Sequence, residues 1–364
     1  MDQVDDLLSV DDLLHKLVEL KASDLHIKAG CAPMLRVDGE LVAAVPRIMK
    51  PAEVRELCES MLTDEQKAKF IADRELDLAY SIPGLSRFRV NIYLQRGSWA
   101  AALRVIPQRP PTLKELNMPP IIADLALRPR GLVLVTGPTG SGKSTTLAAM
   151  INHINEHRHC HIVTCEDPIE FIHNDKNCVV SQREVGSDTH SFAMALKHVL
   201  RQDPDVILIG EMRDFETTAI AITAAETGHI VFATLHTNSA ASTVDRVIDV
   251  FPIHQQQQIR MQLSVCLEGV VCQNLIPKAS GQGRVMAMEI MPMVPALRNL
   301  IREGKTHQIP TTIQTNRGAG MQAFDMCLAR LVYNEQITFE DAIAKAQNAE
   351  DLQRLIRSLE SGNN

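Results

Sequence analysis

Aromatic residues are scarce in this chain: 4% of its 364 residues, with a single tryptophan. That leaves little with which to stack nucleobases. Positive charge is not in excess either, since 37 Lys and Arg stand against 44 Asp and Glu, a formal net charge of −7. A protein whose task is to coat nucleic acid would carry a cationic stripe, so no nucleic-acid partner is expected. No apolar run approaches the ~20 residues that span a bilayer. The acidic start Met1-Asp-Gln-Val-Asp-Asp6 lacks the basic region of a signal peptide. A cytoplasmic chain without a transmembrane segment is expected, with peripheral attachment to a membrane left open. Cysteines stand at Cys31, Cys58, Cys160, Cys165, Cys178, Cys266, Cys272 and Cys327, and no two form a CxxC pair. A zinc ribbon and a thioredoxin-like motif are thereby excluded, and the scattered thiols read as reduced core residues.

What is present suits ordinary globular cores. Apolar residues make up 45% and charged residues 22%, and at roughly 150 residues per domain the length suggests two domains. The clearest boundary is Ile106-Pro-Gln-Arg-Pro-Pro-Thr112, where three prolines in five residues resist helix and central strand alike. Before it, Asp38-Gly39 between apolar flanks signals a hairpin, and Pro51 is placed to begin a helix running toward Leu62. Residues 87–94 alternate, with Phe88, Val90, Ile92 and Leu94 on one face and Arg87, Arg89 and Asn91 on the other. The pattern predicts a strand with one wet, cationic face, and residues 100–106, which include Arg104, are its expected partner. After the boundary, short apolar runs at residues 131–136, 162–165, 206–209 and 230–234 alternate with helical segments such as residues 144–156. Runs of this kind suit a parallel sheet covered on both faces, in an α/β domain.

The chemistry begins with Gly137-Pro-Thr-Gly-Ser-Gly-Lys-Ser144, which fits G-x-x-x-x-G-K-[ST] between an expected strand and an expected helix. Gly137, Gly140 and Gly142, with Pro138, Thr139 and Ser141 between them, let backbone N–H groups curl around phosphate. The helix N-terminus adds partial positive charge. Lys143 is expected to reach the β- and γ-phosphates of a nucleotide, and Ser144 to offer a hydroxyl to Mg²⁺, which prefers oxygen ligands. The run 206–209 is followed by Gly210 and Glu211. An acid at the C-terminal end of a parallel strand lies beside the phosphate loop. The usual Asp is missing, Gly210 standing in its place, while Asp205 sits at the opposite strand end. Glu211 either orients the attacking water, holds the water shell of Mg²⁺, or pairs with Arg213 as a surface acid. Glu166 and Asp167 close another strand; Glu166 is the better partner for Mg²⁺ or water, and Asp167 before Pro168 is equally a helix cap. His229 and His236 bracket the run 230–234, where a histidine at a strand end either senses the γ-phosphate or is a satisfied structural group.

These segments together resemble a known family. Residues 137–145, ending in Thr145, with 164–171, 205–214 and 227–237 resemble the Walker A, Asp box, Walker B and His box of the secretion-superfamily hexameric ATPases. Residues 22–27, 87–91, 182–186 and 296–305 are similar to the type IV pilus retraction ATPases within it. The resemblance implies an N-terminal PAS-like α+β domain over residues 1–105, a Pro-rich linker over 106–115, and a RecA-like P-loop ATPase domain over 116–364. The last would carry a mostly parallel sheet and a helical region from about residue 290. It implies a homo-hexamer using ATP and Mg²⁺, with ATP between the two domains of one chain. Glu166 and Glu211 would serve hydrolysis, and Arg89 and Arg104 would reach the nucleotide phosphates. The ring would sit against the inner membrane, on a platform protein of the pilus machine, with a paralogous retraction ATPase as a further partner.

Residues 296–303 read by spacing as a surface helix, with Ala296, Leu297, Leu300 and Ile301 on one stripe and Arg298 and Arg302 on the other. The resemblance assigns the segment to retraction rather than to ATP turnover. An assembly or export ATPase of the same superfamily would carry an extra N-terminal domain and a tetracysteine zinc insert, and the absence of CxxC speaks against it. An inactive regulator is at odds with the presence of Lys143, Ser144, Glu166 and Glu211. An accessory retraction paralogue stays open.

Overall fold

The computed structural model describes residues 8–107 and 109–361. The acidic start, Gln108 of the Pro-rich segment and the last three residues of the expected helical region lie outside the described residues. The chain divides into two compact units, the first running to Arg109 and taking in Glu170–Ile172, the second comprising Pro110–Ile169 and the chain from His173 onward. The separation of those three residues from the sequence around them was not foreseen.

The first unit is an antiparallel sheet of strands β1 (Asp24–Lys28), β2 (Met34–Val37), β3 (Glu40–Ala43), β4 (Glu75–Ile82), β5 (Ser86–Gln95) and β6 (Ser98–Ile106). Their order is β3-β2-β1-β6-β5-β4. Helices α1 (Val10–Glu19), α2 (Pro51–Ser60) and α3 (Asp64–Asp73) complete an α+β domain. Leu13, Leu14 and Leu17 of α1, Val54 of α2 and Phe70 of α3 share one core with Leu25, Phe88, Val90 and Ile92 of the sheet. Asp38 and Gly39 turn the β2–β3 hairpin with φ of 49° and 91°, the two positive values that a type I′ turn requires. Pro51 opens α2 at its first turn. Leu94 departs from the expected apolar face: it is exposed, because the strand is about to turn at Arg96 and Gly97.

The second unit is built on β7 (Gly131–Thr136), β8 (His161–Glu166), β9 (Val179–Glu184), β10 (Val206–Ile209), β11 (Ile230–Leu235), β12 (Leu267–Pro277) and β13 (Arg284–Pro292). The order is β13-β12-β7-β11-β10-β8-β9, and every neighbouring pair is parallel except the terminal β12–β13 hairpin. Helices α4 (Pro120–Ala126), α5 (Lys143–His157), α6 (Phe192–Val199), α7 (Phe215–Glu226), α8 (Ala240–Asp249), α9 (Ile253–Cys266) and α10 (Pro295–Arg302) follow in chain order. Four more, α11 (Ile309–Thr315), α12 (Phe324–Tyr333), α13 (Phe339–Ile343) and α14 (Ala349–Glu360), form the C-terminal region. On one face of the sheet Val133 and Val135 meet Leu147, Met150, Ile151 and Ile154 of α5. On the other, Leu132 and Leu134 meet Ala221 and Ile222 of α7 and Val244 and Val247 of α8. Burial on both faces is why these strands read as unbroken apolar runs.

Two expectations need correcting. Asp167 caps no helix: it joins Pro168 through a cis peptide bond, and the chain stays irregular until β9. In α10 only Leu297 and Ile301 are buried, while Ala296 is exposed. Of the two arginines on the other face, only Arg302 is exposed. Arg298 donates to the carbonyls of Ser264, Val265 and Leu267 and, at 2.8 Å, to Glu268 Oε1. It thereby satisfies carbonyls that α9 leaves open at its end. Arg302 donates to Asn299 Oδ1 at 2.9 Å, on an exposed surface.

Candidate functional site

The parallel strands end in one row, and the expected residues stand along it. In register, Thr136 of β7 lies beside Leu235 of β11, and Ile209 of β10 lies beside both Ala233 of β11 and Cys165 of β8. One step beyond these positions come the phosphate loop, His236, Gly210 followed by Glu211, and Glu166. Ligands of open α/β sheets gather outside this carboxyl edge.

The loop from Gly137 to Ser144 leaves β7 and enters α5, whose N-cap is Gly142 with φ of 89°. Gly137 is required sterically. Its φ is 139°, and a Cβ there would lie 2.2 Å from the Gln273 carbonyl oxygen. Gln273 of β12 is 2% exposed. Its side chain donates to the Ser141 carbonyl at 2.8 Å and accepts from Thr146 Oγ1 at 2.9 Å. The loop is thus braced from behind by a buried amide. No signal of spacing marks Gln273, which lies 132 residues beyond Ser141; the only hint is a glutamine that directly follows the apolar run Val270-Val-Cys272.

Lys143 is 8% exposed. Its ammonium donates to the carbonyls of Gly137 at 2.8 Å and Pro138 at 3.1 Å, and lies 3.5 Å from His236 Nδ1. Burial lowers the Lys143 pKa, and the Glu211 charge works against that shift. The Ser141 hydroxyl is buried with no hydrogen-bond partner. A buried hydroxyl in want of a partner and an ammonium held by its own loop's carbonyls both fit a phosphate. Ser144 is exposed at the first turn of α5. Among the described residues no group of three or more His, Cys, Asp or Glu side chains gathers to hold a metal. The Ser144 hydroxyl and the carboxylates of Glu211 and Glu166 at the same sheet edge are hard oxygen donors, the kind that a cation such as Mg²⁺ prefers.

His236 connects the loop to Glu211. Its Nδ1 faces Lys143, and its Nε2 lies 3.0 Å from Glu211 Oε1. Glu211 also pairs with Arg213, a contact that sequence reasoning had offered as the alternative to a catalytic role. Burial pushes the Glu211 carboxyl up, but the hydrogen bonds and charges of Arg213 and His236 outweigh it and hold the group below the usual carboxylate range. Gly210 sits where a longer residue would crowd, since a Cβ there would lie 3.2 Å from Glu166 Cα. On the next strand, Glu166 Oε1 accepts from Thr164 Oγ1 at 2.7 Å and from Gln182 Nε2 at 3.2 Å. Asp205, at the far strand end, accepts from the His161 N–H and takes no part. His229 lies at that end too, its Nδ1 3.0 Å from the Ala224 carbonyl; of the two histidines it is the structural one.

The terminal hairpin touches the site a second time. Glu289 of β13, opposite Cys272, is buried and accepts from the Ala240 N–H at 2.6 Å, at the start of α8. Its carboxyl is pushed above the usual range by burial, against the pull of the Ala240 and Gln347 hydrogen bonds.

In the first unit, Arg89 and Arg104 are direct cross-strand partners and both are exposed. Arg104 is not a bare cation: its Nε donates to Asp24 Oδ1 at 2.8 Å. A cavity of about 880 Å³ lined by Ile121, Ile313, Met326 and Leu355 contains none of the residues above, so chemistry rather than size locates the site.

Comparison with known proteins places the chain in context. A family model described as "Type II/IV secretion system protein" matches residues 3–359. The chain is 48% identical over 344 residues to the type IV pilus retractation ATPase PilT of Pseudomonas aeruginosa, a match covering 94% of this chain and all of that one. It is 49% identical to a twitching motility protein of Neisseria gonorrhoeae, over 89% of this chain and 87% of the other. A crystal structure of the pilus retraction motor PilT with bound ADP superposes with a TM-score of 0.89 at 44% identity, covering 95% of this chain and 99% of that one.

Proposed function

Because this chain belongs to the type II/IV secretion system protein family, we propose that it is an ATP hydrolase that powers type IV pilus retraction and twitching motility. The observation that carries this is the near-full-length likeness to the retraction ATPase of Pseudomonas aeruginosa. The row of phosphate loop, His236, Glu211 and Glu166 at one sheet edge supplies the chemistry that the likeness requires.

In this reading Gly137, Pro138, Thr139, Gly140, Ser141 and Gly142 wrap the nucleotide phosphates through their backbone. Lys143 turns from the loop carbonyls to the β- and γ-phosphates, and Thr145 completes the cradle. Mg²⁺ would be held by Ser144, with Glu166 and Glu211 acting directly or through water, and would neutralise charge building on the phosphates. Glu211 and Glu166 orient the attacking water. His236, set between Lys143 and Glu211, carries the state of the phosphate to the acid. Arg89 and Arg104 serve as the cations that meet the transferred phosphoryl group; for Arg104 that entails exchanging Asp24 for phosphate. Positioning and charge neutralisation do most of the work in such a transfer.

The same reading takes the chain to be a homo-hexamer with a PAS-like first domain and a RecA-like second, joined by the Pro-rich segment. It would act in the cytoplasm against the inner membrane, on a platform protein of the pilus machine, with or beside a paralogous retraction ATPase. No helix among the described residues is long and apolar enough to cross a membrane, so attachment there would be peripheral. The test is to measure ATP hydrolysis by the purified full chain with and without Mg²⁺. The same gene would then be asked to restore twitching to cells deleted for their retraction ATPase. Metal-dependent turnover with restored motility is expected; a chain that ignores ATP in the presence of Mg²⁺ would end the proposal.

A further inference from the structure

The segment that follows Glu166 leaves the second unit and returns to it within a few residues. Glu170–Ile172 group with the first unit, where the Ile172 N–H donates to the Pro107 carbonyl at 3.3 Å. The two feet of this strap are held by side chains of a single strand, β9. On the outgoing side the Ile169 N–H donates to Glu184 Oε2 at 3.1 Å. On the returning side the His173 N–H donates to Gln182 Oε1 at 2.8 Å. The other end of the Gln182 amide donates to Glu166 Oε1 at 3.2 Å. One planar amide thus joins the acid to the point where the strap comes home. Parallel pairing fixes the placement, since Gln182 lies opposite Thr164, whose hydroxyl meets the same Glu166 oxygen.

We propose that Gln182 is a positioning residue for ATP hydrolysis, holding the Glu166 carboxylate in its working orientation and tying that orientation to the strap whose crown belongs to the first unit. This rests on the assignment of Glu166 to hydrolysis. A carboxylate on an unanchored side chain samples several rotamers, and only one presents its oxygens to water and phosphate. Two hydrogen bonds to one oxygen select a rotamer, and the amide's acceptor end makes that selection sensitive to where His173 lies. Nucleotide binding, which rests on the phosphate loop several strands away, is not touched by this bond. The signature is therefore a loss in kcat without a loss in affinity.

The experiment uses two variants of the full chain. Gln182→Ala removes both ends of the amide. Gln182→Glu keeps an acceptor for the His173 N–H, loses the donor to Glu166, and places a like charge beside it. Both should lower kcat for ATP by about tenfold, with KM and the binding of a fluorescent ADP analogue within about twofold of the parent. Hydrogen exchange in the peptide spanning residues 166–173 should quicken in Gln182→Ala and stay as in the parent for Gln182→Glu. Should Gln182→Ala prove unstable on melting, Gln182→Glu decides alone. A kcat within twofold of the parent in the folded variants, or a KM rising in step with the fall in kcat, would overturn the proposal. Glu166→Gln separates the two layers. If it still turns over, the assignment of Glu166 fails and this inference fails with it; if it is dead while the Gln182 variants run at full rate, only the role of Gln182 is lost.

Discussion

Lys143 is 8% exposed and held by two carbonyls of its own loop. A few residues along the same sheet edge, Glu211 is held by Arg213, whose side chain is 75% exposed, and by His236, 42% exposed. The phosphate loop is exposed at its crown, Pro138 to Gly140, but rests on a buried floor: Gly137 presses on the Gln273 carbonyl, and the Gln273 amide locks Ser141 and Thr146. On the acidic rim, Glu211 is itself half-buried, but it is held by ion pairs with side chains that water can reach. Buried hydrogen bonds are costly to leave unmade, whereas exposed ion pairs exchange at little cost. In the proposed function, binding falls to a backbone braced by buried hydrogen bonds, over which the Lys143 side chain turns from carbonyl to phosphate. Turnover is assigned to the part that can change partners as phosphate arrives and departs.

The sharpest break of that division is Lys143→Ala, which should weaken ATP binding by roughly a hundredfold and abolish hydrolysis with it. Calorimetric or fluorescence titration checks this; normal affinity would mean that the loop does not hold phosphate. Glu211→Ala should lower turnover by about a hundredfold while nucleotide affinity stays within a few-fold, so that the two halves of the comparison come apart in one assay. A parallel loss of binding would show the rim to be part of the cradle. Gln273→Ala should act on the buried side alone. It leaves the Ser141 carbonyl and Thr146 hydroxyl without their partner, at about 1–3 kcal/mol, so melting falls and nucleotide binding weakens by roughly tenfold. Unchanged melting and affinity would leave the brace without consequence. The smallest effect on chemistry is expected from Arg302→Ala on the exposed face of α10. Its ATPase rate should stay within about twofold while twitching fails, and an equal loss of both would make that helix merely structural.

How much of this could be read beforehand follows the same division. The loop was legible because the backbone itself makes the site, and only small residues, a lysine and a hydroxyl permit that backbone. The buried strands were legible because two covered faces leave no polar alternation, and Arg89 because one wet face does. Glu166 and Glu211 followed from standing at strand ends. Gln273 and Gln182 were assigned no role, because each acts on a residue that only the sheet order brings near; their neighbours in sequence are ordinary strand residues. Asp167 misled because an Asp-Pro step is equally at home before a helix and in an irregular strap. Ala296 misled because the buried stripe of α10 is narrower than its apolar pattern. Arg298, expected only as a neighbour of Arg302 opposite the apolar stripe, is needed by carbonyls more than 30 residues earlier in the chain.

The terminal hairpin has a mechanical consequence. Gln273 on one of its strands fixes the floor of the phosphate loop, and Glu289 on the other fixes the first residue of α8, four positions after His236. The two strands are themselves locked by an antiparallel ladder from Gly269 to Pro292. The phosphate loop and the start of α8 are therefore gauged from one common datum, as two holes drilled from a single jig share a reference. The C-terminal helices share a core with Ile276 and Ala287 of this hairpin, so a strain from them would reach loop and helix together.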